Sequence, residues 1–290
     1  MEIIWALASS LMFAGTFLLI KLGRETSTHL SVLWVTLTIN VFILSLLNFF
    51  FVPSIDIDLR EWQYFILAGL FAPLLGRLFQ FIGMSALGTN VTTAITLTHP
   101  LVSVALGVFF LGETATYTQL EGAIAVMLGS FLIGISTQAR SLKVPVLKTL
   151  FSFYAPILAS LAYGVSIWFR KIGIENGTDP IVASAVSVIT SWIVLTLYVV
   201  FFGIKISCNR RELSYFLTAG ILSSAGPVFL YIALAAGALV VVAPLAATTP
   251  LFVLAGTWMY SRQNEIFNRH ILVGVSSVVL GVTLLAGDFG

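Results

Sequence analysis

Charge is the scarcest property of this chain. Of 290 residues only 9% are charged, 14 Lys and Arg against 12 Asp and Glu, too few to clothe a soluble globule of that size. With 59% hydrophobic residues and a mean hydropathy of +1.05, the sequence reads as an integral membrane protein. No stretch concentrates Lys and Arg, which argues against nucleic acid as a partner, because neutralising phosphates takes a basic patch or stripe. Cys208 is the single cysteine, so no internal disulfide can form. There is no HExxH zinc motif, no Gly-x-Ser-x-Gly elbow and no Walker P-loop. Catalysis and ATP coupling therefore have no motif to rest on, and no enzyme activity, cofactor or metal is expected. Missing too is a carboxylate deep in any apolar stretch: Glu113, Glu121, Glu175, Glu265 and Asp288 fall at or beyond their ends. A proton-driven cation exporter usually needs such an acid. The first apolar stretch follows Met1-Glu2 without a basic segment, and its counterpart recurs in mid-chain, so a cleaved signal peptide is a poor reading.

What is present is repetition. The run 15–23, which ends Lys21-Leu22-Gly23, returns loosely as 165–173, which ends Lys171-Ile172-Gly173, and His99-Pro100-Leu101 returns as Thr249-Pro250-Leu251. Both pairs are offset by 150 positions, and Gly122 and Gly129 reappear two residues late as Gly274 and Gly281. Between these anchors lie ten apolar stretches, at about 3–22, 31–52, 63–85, 90–111, 118–136, 150–170, 181–203, 213–235, 239–260 and 270–287, each long enough to span a bilayer. They must be helices, because backbone amides in hydrocarbon have to be satisfied within the segment and no strand alternation is present. Five spans per copy invert the second copy relative to the first. The expected fold is thus an all-α integral membrane protein of ten transmembrane helices, two inverted five-helix repeats around a central cavity. Its first repeat occupies 1–137, a linker 138–149 and its second repeat 150–290.

Basic residues divide unevenly. Lys21, Arg24, Arg140, Lys143, Lys148, Lys205, Arg210, Arg211, Arg262 and Arg269 fall on the linker face, against Arg60, Arg170 and Lys171 opposite. By the positive-inside rule the linker face is cytoplasmic and both termini lie outside.

The residues costly to bury point to a site. Arg77 lies inside the third span, and a cation there costs about 2.5–3.5 kcal/mol on insertion scales unless it faces a polar cavity or a partner. The alternative is that the span starts later and Arg77 snorkels to an interface. Pro73, Arg77, Gln80 and Met84 share a helical face. In the fourth span Thr89, Thr92, Thr96, His99 and Ser103 follow spacings of three and four, and Pro100 removes the amide that would bond the Thr96 carbonyl, leaving it beside the imidazole. Interhelical packing is the plainer account of that stripe. Trp5, Ser9, Met12 and Thr16 line one face of the first span, with Ser166 at the position of Thr16 in the sixth. Ser223, Ser224, Tyr231, Thr248 and Thr249 add polarity from the eighth and ninth. Asn40 reads as structural. The fifth and tenth spans read as scaffold, since Gly122, Gly129, Gly274 and Gly281 let backbones approach closely.

The duplicated five-span unit resembles the EamA domain of the drug/metabolite transporter superfamily. The resemblance rests on Phe13-Ala14-Gly15-Thr16-Phe17 with Lys21, where the family often has Trp and Asn, on Leu111-Gly112-Glu113, and on the weaker second copy Tyr163-Gly164-Val165-Ser166 with Lys171. The Gly-Glu ending becomes Ser261-Arg262-Gln263 in the second half. The resemblance implies a central cavity lined by spans 1, 3, 4, 6, 8 and 9 and ATP-independent export or exchange of small metabolites such as amino acids. It also implies both termini in the cytoplasm, opposite to the charge count.

The expected function is secondary active transport of a small polar or amphiphilic metabolite, such as an amino acid or organic anion, by alternating access. Substrate binding is assigned to Arg77, Gln80, Thr96, His99, Thr16, Ser166, Trp5, Tyr231 and Thr249, with His99 as the candidate for proton coupling. The partners expected are a small-molecule substrate and the lipid bilayer of the cell (inner) membrane, and the chain is read as monomeric. A flippase for a lipid-linked precursor and a non-transporting membrane scaffold are the alternatives.

Overall fold

The computed structural model describes residues 1–52, 59–87, 89–136, 153–260 and 269–287. The linker 138–149 with Arg140, Lys143 and Lys148, and also Arg262, Gln263, Glu265, Asp288 and the Thr89 side chain, lie outside the described residues. The first half runs α1 (Glu2–Gly23), α2 (His29–Phe51), α3 (Leu59–Gly69), a widened turn (Leu70–Leu75), α4 (Gly76–Leu87), α5 (Thr89–Thr96), α6 (His99–Leu111) and α7 (Tyr117–Ser136). The second runs α8 (Tyr154–Glu175), α9 (Pro180–Phe201), α10 (Arg210–Ala236), α11 (Leu239–Ala246), α12 (Thr249–Tyr260) and α13 (Arg269–Gly287). α3–α4, α5–α6 and α11–α12 are each one span broken in the middle, so the described helices make ten crossings. Nine are long and apolar enough to cross a membrane by continuous length, and α5–α6 completes the tenth with its shorter apolar half His99–Leu111.

The ends of these helices follow from their capping residues. Thr28 accepts from the amide of Ser31 at 3.1 Å to start α2. Asp179 accepts from the amide of Ile181 at 2.7 Å to start α9, with Pro180 next to it, an arrangement that fills amides with no partner inside the helix. At the start of α10, Asn209 and Glu212 form a reciprocal capping box. The buried Glu212 carboxylate also accepts from the amides of Glu25, Thr26 and Ser27 at 2.8, 2.7 and 2.9 Å. One side chain thus fixes the α1–α2 turn to the entry of α10, and the sequence reading had passed over it.

The repeat holds at the level of atoms. Thr98 Oγ1 donates to the Ile95 carbonyl at 2.6 Å, and 150 positions later Thr248 Oγ1 donates to the Leu245 carbonyl at 2.8 Å. The break in α5–α6 is met by Ser160, 2.9 Å from Thr98 Oγ1, and the break in α11–α12 by the matching Ser10, which donates to the Leu245 and Ala246 carbonyls at 3.0 and 2.7 Å. A Cβ on Gly76 would meet the Tyr163 ring at 3.0 Å, and one on the matching Gly226 would meet the Phe13 ring at 3.0 Å. α7 and α13 pair as the glycine stripe required. A Cβ on Gly129 would stand 2.6 Å from the Gly274 carbonyl oxygen, and one on Gly281 would stand 2.6 Å from that of Gly122.

The sixth span differs from its expected bounds, ending at Glu175 rather than near 170. Arg170 and Lys171, counted above as loop charges, are only 6% and 7% exposed. An apolar-run criterion stops at the first cation, whereas here backbone carbonyls from other helices receive the charges. Removing the two from the count leaves Arg60 opposite the linker face, which strengthens the charge bias.

Cys208 lies outside the spans, in the connection between α9 and α10 on the linker face. Partial burial, and then the nearby Glu212 carboxylate, raise its thiol above the usual range. If that face is cytoplasmic, a membrane-impermeant maleimide will leave Cys208 unmodified in intact cells. In permeabilised cells it will modify Cys208 slowly near pH 7 and faster as pH rises, because only the thiolate reacts. Rapid labelling of intact cells would place the linker face outside.

Candidate seam between the repeats

Pro73 has no amide hydrogen, so the Gly69 carbonyl loses its helical partner, and Ala72 leaves helical geometry altogether (φ −150°, ψ 132°). The carbonyls released by this break find side chains on neighbouring helices. Ser191 Oγ donates to Gly69 at 2.7 Å, Ser166 Oγ to Ala68 at 2.8 Å, and Arg170 Nη2 to Ala72 at 3.2 Å. The Arg170 guanidinium also lies 5.1 Å from the centre of the Tyr231 ring. Tyr231 is wholly buried, with its hydroxyl 2.7 Å from Ser187 Oγ and its ring edge-on to Phe65.

Downstream of the break, α4 carries Arg77 and Gln80 toward α8. Gly76 lets the Tyr163 ring lie against the α4 backbone. The phenol donates to Gln80 Oε1 at 3.0 Å, and the Arg77 guanidinium lies against the phenol oxygen. From the other side the His99 imidazole tilts against the Tyr163 ring at 5.9 Å between centres. Its Nδ1 is 3.0 Å from the Thr96 carbonyl that Pro100 had left unpaired. A carbonyl only accepts, so Nδ1 carries the proton and Nε2 is left to accept. Arg77, Gln80, Tyr163 and His99 are all half-buried. Counting along their helices places Arg77, Tyr163 and His99 about 13–15 Å from the linker face, close to mid-bilayer. No carboxylate among the described residues lies within 4.0 Å of the Arg77 guanidinium.

The nine residues expected to bind substrate separate into two groups. Arg77, Gln80 and His99 come together, with Thr96 contributing its carbonyl while its own hydroxyl bonds Thr92 at 2.7 Å. Trp5, stacked on Phe229 at 5.3 Å, and Thr249, the repeat mate of His99, are half-buried. Thr16, Ser166 and Tyr231 lie apart from that group, buried between helices. Thr16 and Ser166 are each 1% exposed, with their hydroxyls bonded to carbonyls of Met12 and Ala68. Tyr231 is enclosed as described. Asn40 is structural as expected, held against Ser223 and Ser224. Sequence reasoning missed Tyr163 as a site residue. Its signal was there, since Tyr163, Ser166 and Arg170 recur at three and four on one face of α8.

Two surface hollows lie elsewhere, one against Leu197, Tyr198 and Phe201 and one against Asn48, Trp62 and Ile189. The polar group lies along a seam where α4, α6 and α8 meet. Toward the terminus face the seam is shut, where α11 packs on α6, α7 and α1, and α10 packs on α8. The matching pairs toward the linker face, α5 with α12 and α4 with α1, make at most marginal contact among the described residues. Two related pairs, α6–α11 against α12–α5 and α8–α10 against α1–α4, are thus in contact on the terminus face and parted on the linker face, whereas α1–α11 and its match α8–α5 are both in contact.

Comparison with known proteins agrees with this architecture. The model of the EamA-like transporter family matches residues 1–135 and again 150–287, and the chain belongs to that family. It is a multi-pass membrane transporter of the drug/metabolite superfamily. No curated protein matches the chain. A solved crystal structure superposes over 98% of this chain and 98% of its own with a TM-score of 0.82 at 14% identity, a likeness of fold alone.

The three kink contacts carry a stability prediction. Ser191→Ala and Ser166→Ala each leave a buried carbonyl unsatisfied and should cost about 1–3 kcal/mol. The loss should be read as a lower unfolding midpoint of the purified protein in detergent micelles. Unchanged midpoints for both would contradict their reading as partners of the broken helix.

Proposed function

We propose that this member of the EamA-like transporter family is a secondary transporter, an exporter or exchanger of a small polar or amphiphilic metabolite bearing an anionic group, working by alternating access in the cell membrane. The observation that carries this reading is the Arg77 guanidinium, near mid-bilayer beside the Tyr163 phenol that bonds Gln80, with no carboxylate among the described residues within 4.0 Å. A half-buried cation within the membrane with no carboxylate beside it is suited to receive one from a ligand, and a guanidinium can grip carboxylate or phosphate with two parallel bonds.

In this reading Arg77 binds the anionic group, Gln80 and Tyr163 orient it, and Trp5 and Thr249 supply wall. The Tyr163 hydroxyl, bonded to Gln80, fills the oxyanion position while the site is empty and yields it on binding. His99 keeps Nε2 for the substrate or for a proton, which couples transport to pH. The linker-side opening corresponds to a cytoplasm-facing state if the charge bias sets the orientation.

The test begins with metabolite profiles of cells with and without the protein, followed by uptake of the leading candidate into reconstituted vesicles. Arg77→Ala should lower uptake by about tenfold or more and Arg77→Lys by less, consistent with loss of charge-assisted bonds. His99→Gln should abolish any dependence of the wild-type rate on a pH difference across the vesicle membrane. Undiminished uptake by Arg77→Ala would remove the anion site. Flux that follows lipid rather than soluble metabolite would favour a flippase.

A further inference from the structure

The short turn between α10 and α11 is gripped from two sides. On one side Lys171, almost wholly buried near the end of α8, donates from Nζ to the carbonyls of Leu234 and Gly237, each at 2.9 Å. It also pairs with Glu175 at 3.1 Å. On the other side Glu113 accepts from the amides of Leu239 and Val240 at 2.8 and 3.2 Å. Those amides open α11 and have no partner within their own helix, and a carboxylate there also meets the positive end of the helix dipole. Gly112 makes this possible. Its φ of +66° ends α6 in a left-handed turn that only glycine adopts freely, and the turn swings Glu113 onto α11.

Each grip joins elements that are parted in the sequence-matched position. Lys171 ties α8 to α10, whereas α1 and α4, their repeat mates, stand apart. Glu113 ties α6 to α11, whereas α12 and α5 stand apart. The repeat mate of Lys171 is Lys21, in the last turn of α1. Lys21 is exposed and makes no hydrogen bond or ion pair among the described residues. The mates of Leu234 and Gly237 are Met84 and Leu87, in the last turn of α4. The same lysine is thus locked on the closed face and loose on the parted one.

We infer that Lys171 and Glu113 are positioning residues that hold the terminus face shut, and that Lys21 is the matching latch for the linker face, bonding the Met84 and Leu87 carbonyls when the seam closes there. This rests on the alternating-access reading above. The two lysines act in opposite directions. Releasing Lys171 favours opening toward the terminus face, releasing Lys21 favours opening toward the linker face, and each conformation is held by one lysine in turn. A lysine that merely filled space in its own helix would have no such opposed mate.

The test uses the full chain with Cys208→Ser and a single reporter, Thr249→Cys, labelled by a membrane-impermeant maleimide from either face of oriented vesicles. With both lysines present, the reporter should label mainly from the linker face. Lys171→Gln should raise the ratio of terminus-face to linker-face labelling by about tenfold, as expected for losing charge-assisted bonds. Glu113→Gln should shift it the same way, by less. Lys21→Gln should lower the ratio, and Lys21→Gln with Lys171→Gln should return it toward the starting value. A ratio unmoved by Lys171→Gln, or a double variant identical to Lys171→Gln alone, would overturn the latch. So would a reporter that fails to label from the linker face in the chain with both lysines intact. Labelling needs no substrate, so a failed flux assay on the chain that keeps Thr249 would overturn the transport reading and leave this ratio standing, whereas an unmoved ratio beside normal flux in the chain that keeps Thr249 would overturn the latch alone.

Discussion

A helix broken inside a bilayer exposes carbonyls that water cannot reach, and the need to satisfy them within the protein organises this molecule. Three spans are broken, at Pro73, ahead of Pro100 and ahead of Pro250. Each break is met from another helix. Ser191, Ser166 and Arg170 serve the first, Ser160 the second through Thr98, and Ser10 the third. These bonds decide which helices lie side by side, and so which faces of α4, α6, α8 and α12 are left to meet in the centre. The breaks also supply function. His99 is oriented by the carbonyl that Pro100 releases, and Arg77 follows the break at Pro73 by one helical turn.

Two copies of nearly the same unit, one upside down, cannot both be closed on both faces if a seam runs between them. The structure has the α8–α10 and α6–α11 contacts made, while their counterparts α1–α4 and α5–α12 make at most marginal contact among the described residues. Polarity is as uneven as the packing. Arg77 corresponds by position to Pro227, Gln80 to Leu230 and Tyr163 to Phe13, so these polar side chains have apolar counterparts in the other half. Such a division suits a ligand with a charged end and an apolar body. The scaffold pair α7–α13, closed by Gly129 and Gly274 at near backbone contact, stands outside this division.

Much of this was legible because membrane helices report themselves locally. Span positions followed from apolar length, the α7–α13 contact from glycines at a spacing of seven, and the His99–Thr96 contact from the missing amide of Pro100. What was not legible depends on partners far apart in the chain. Nothing near Lys171 announces that its ammonium will meet the carbonyls of Leu234 and Gly237, and the rule that places cations at helix ends put Lys171 and Arg170 in a loop. Glu212 was equally hidden, since its partners at Glu25, Thr26 and Ser27 lie in the other half. Tyr231, Thr16 and Ser166 were assigned to a cavity wall on residue type and helical face. Both hold equally for a hydroxyl that closes a gap between helices, and only burial tells the two apart.

The central claim is that the two inverted halves exchange which face is closed. It is tested most directly by distance distributions between paired nitroxide labels in lipid, one pair across the linker face at Arg24 and Ala86 and one across the terminus face at Thr114 and Ala236. The account predicts two populations at each pair that vary in opposition, so that conditions lengthening the terminus-face distance shorten the linker-face distance. A single, unchanging distance at both pairs would contradict it.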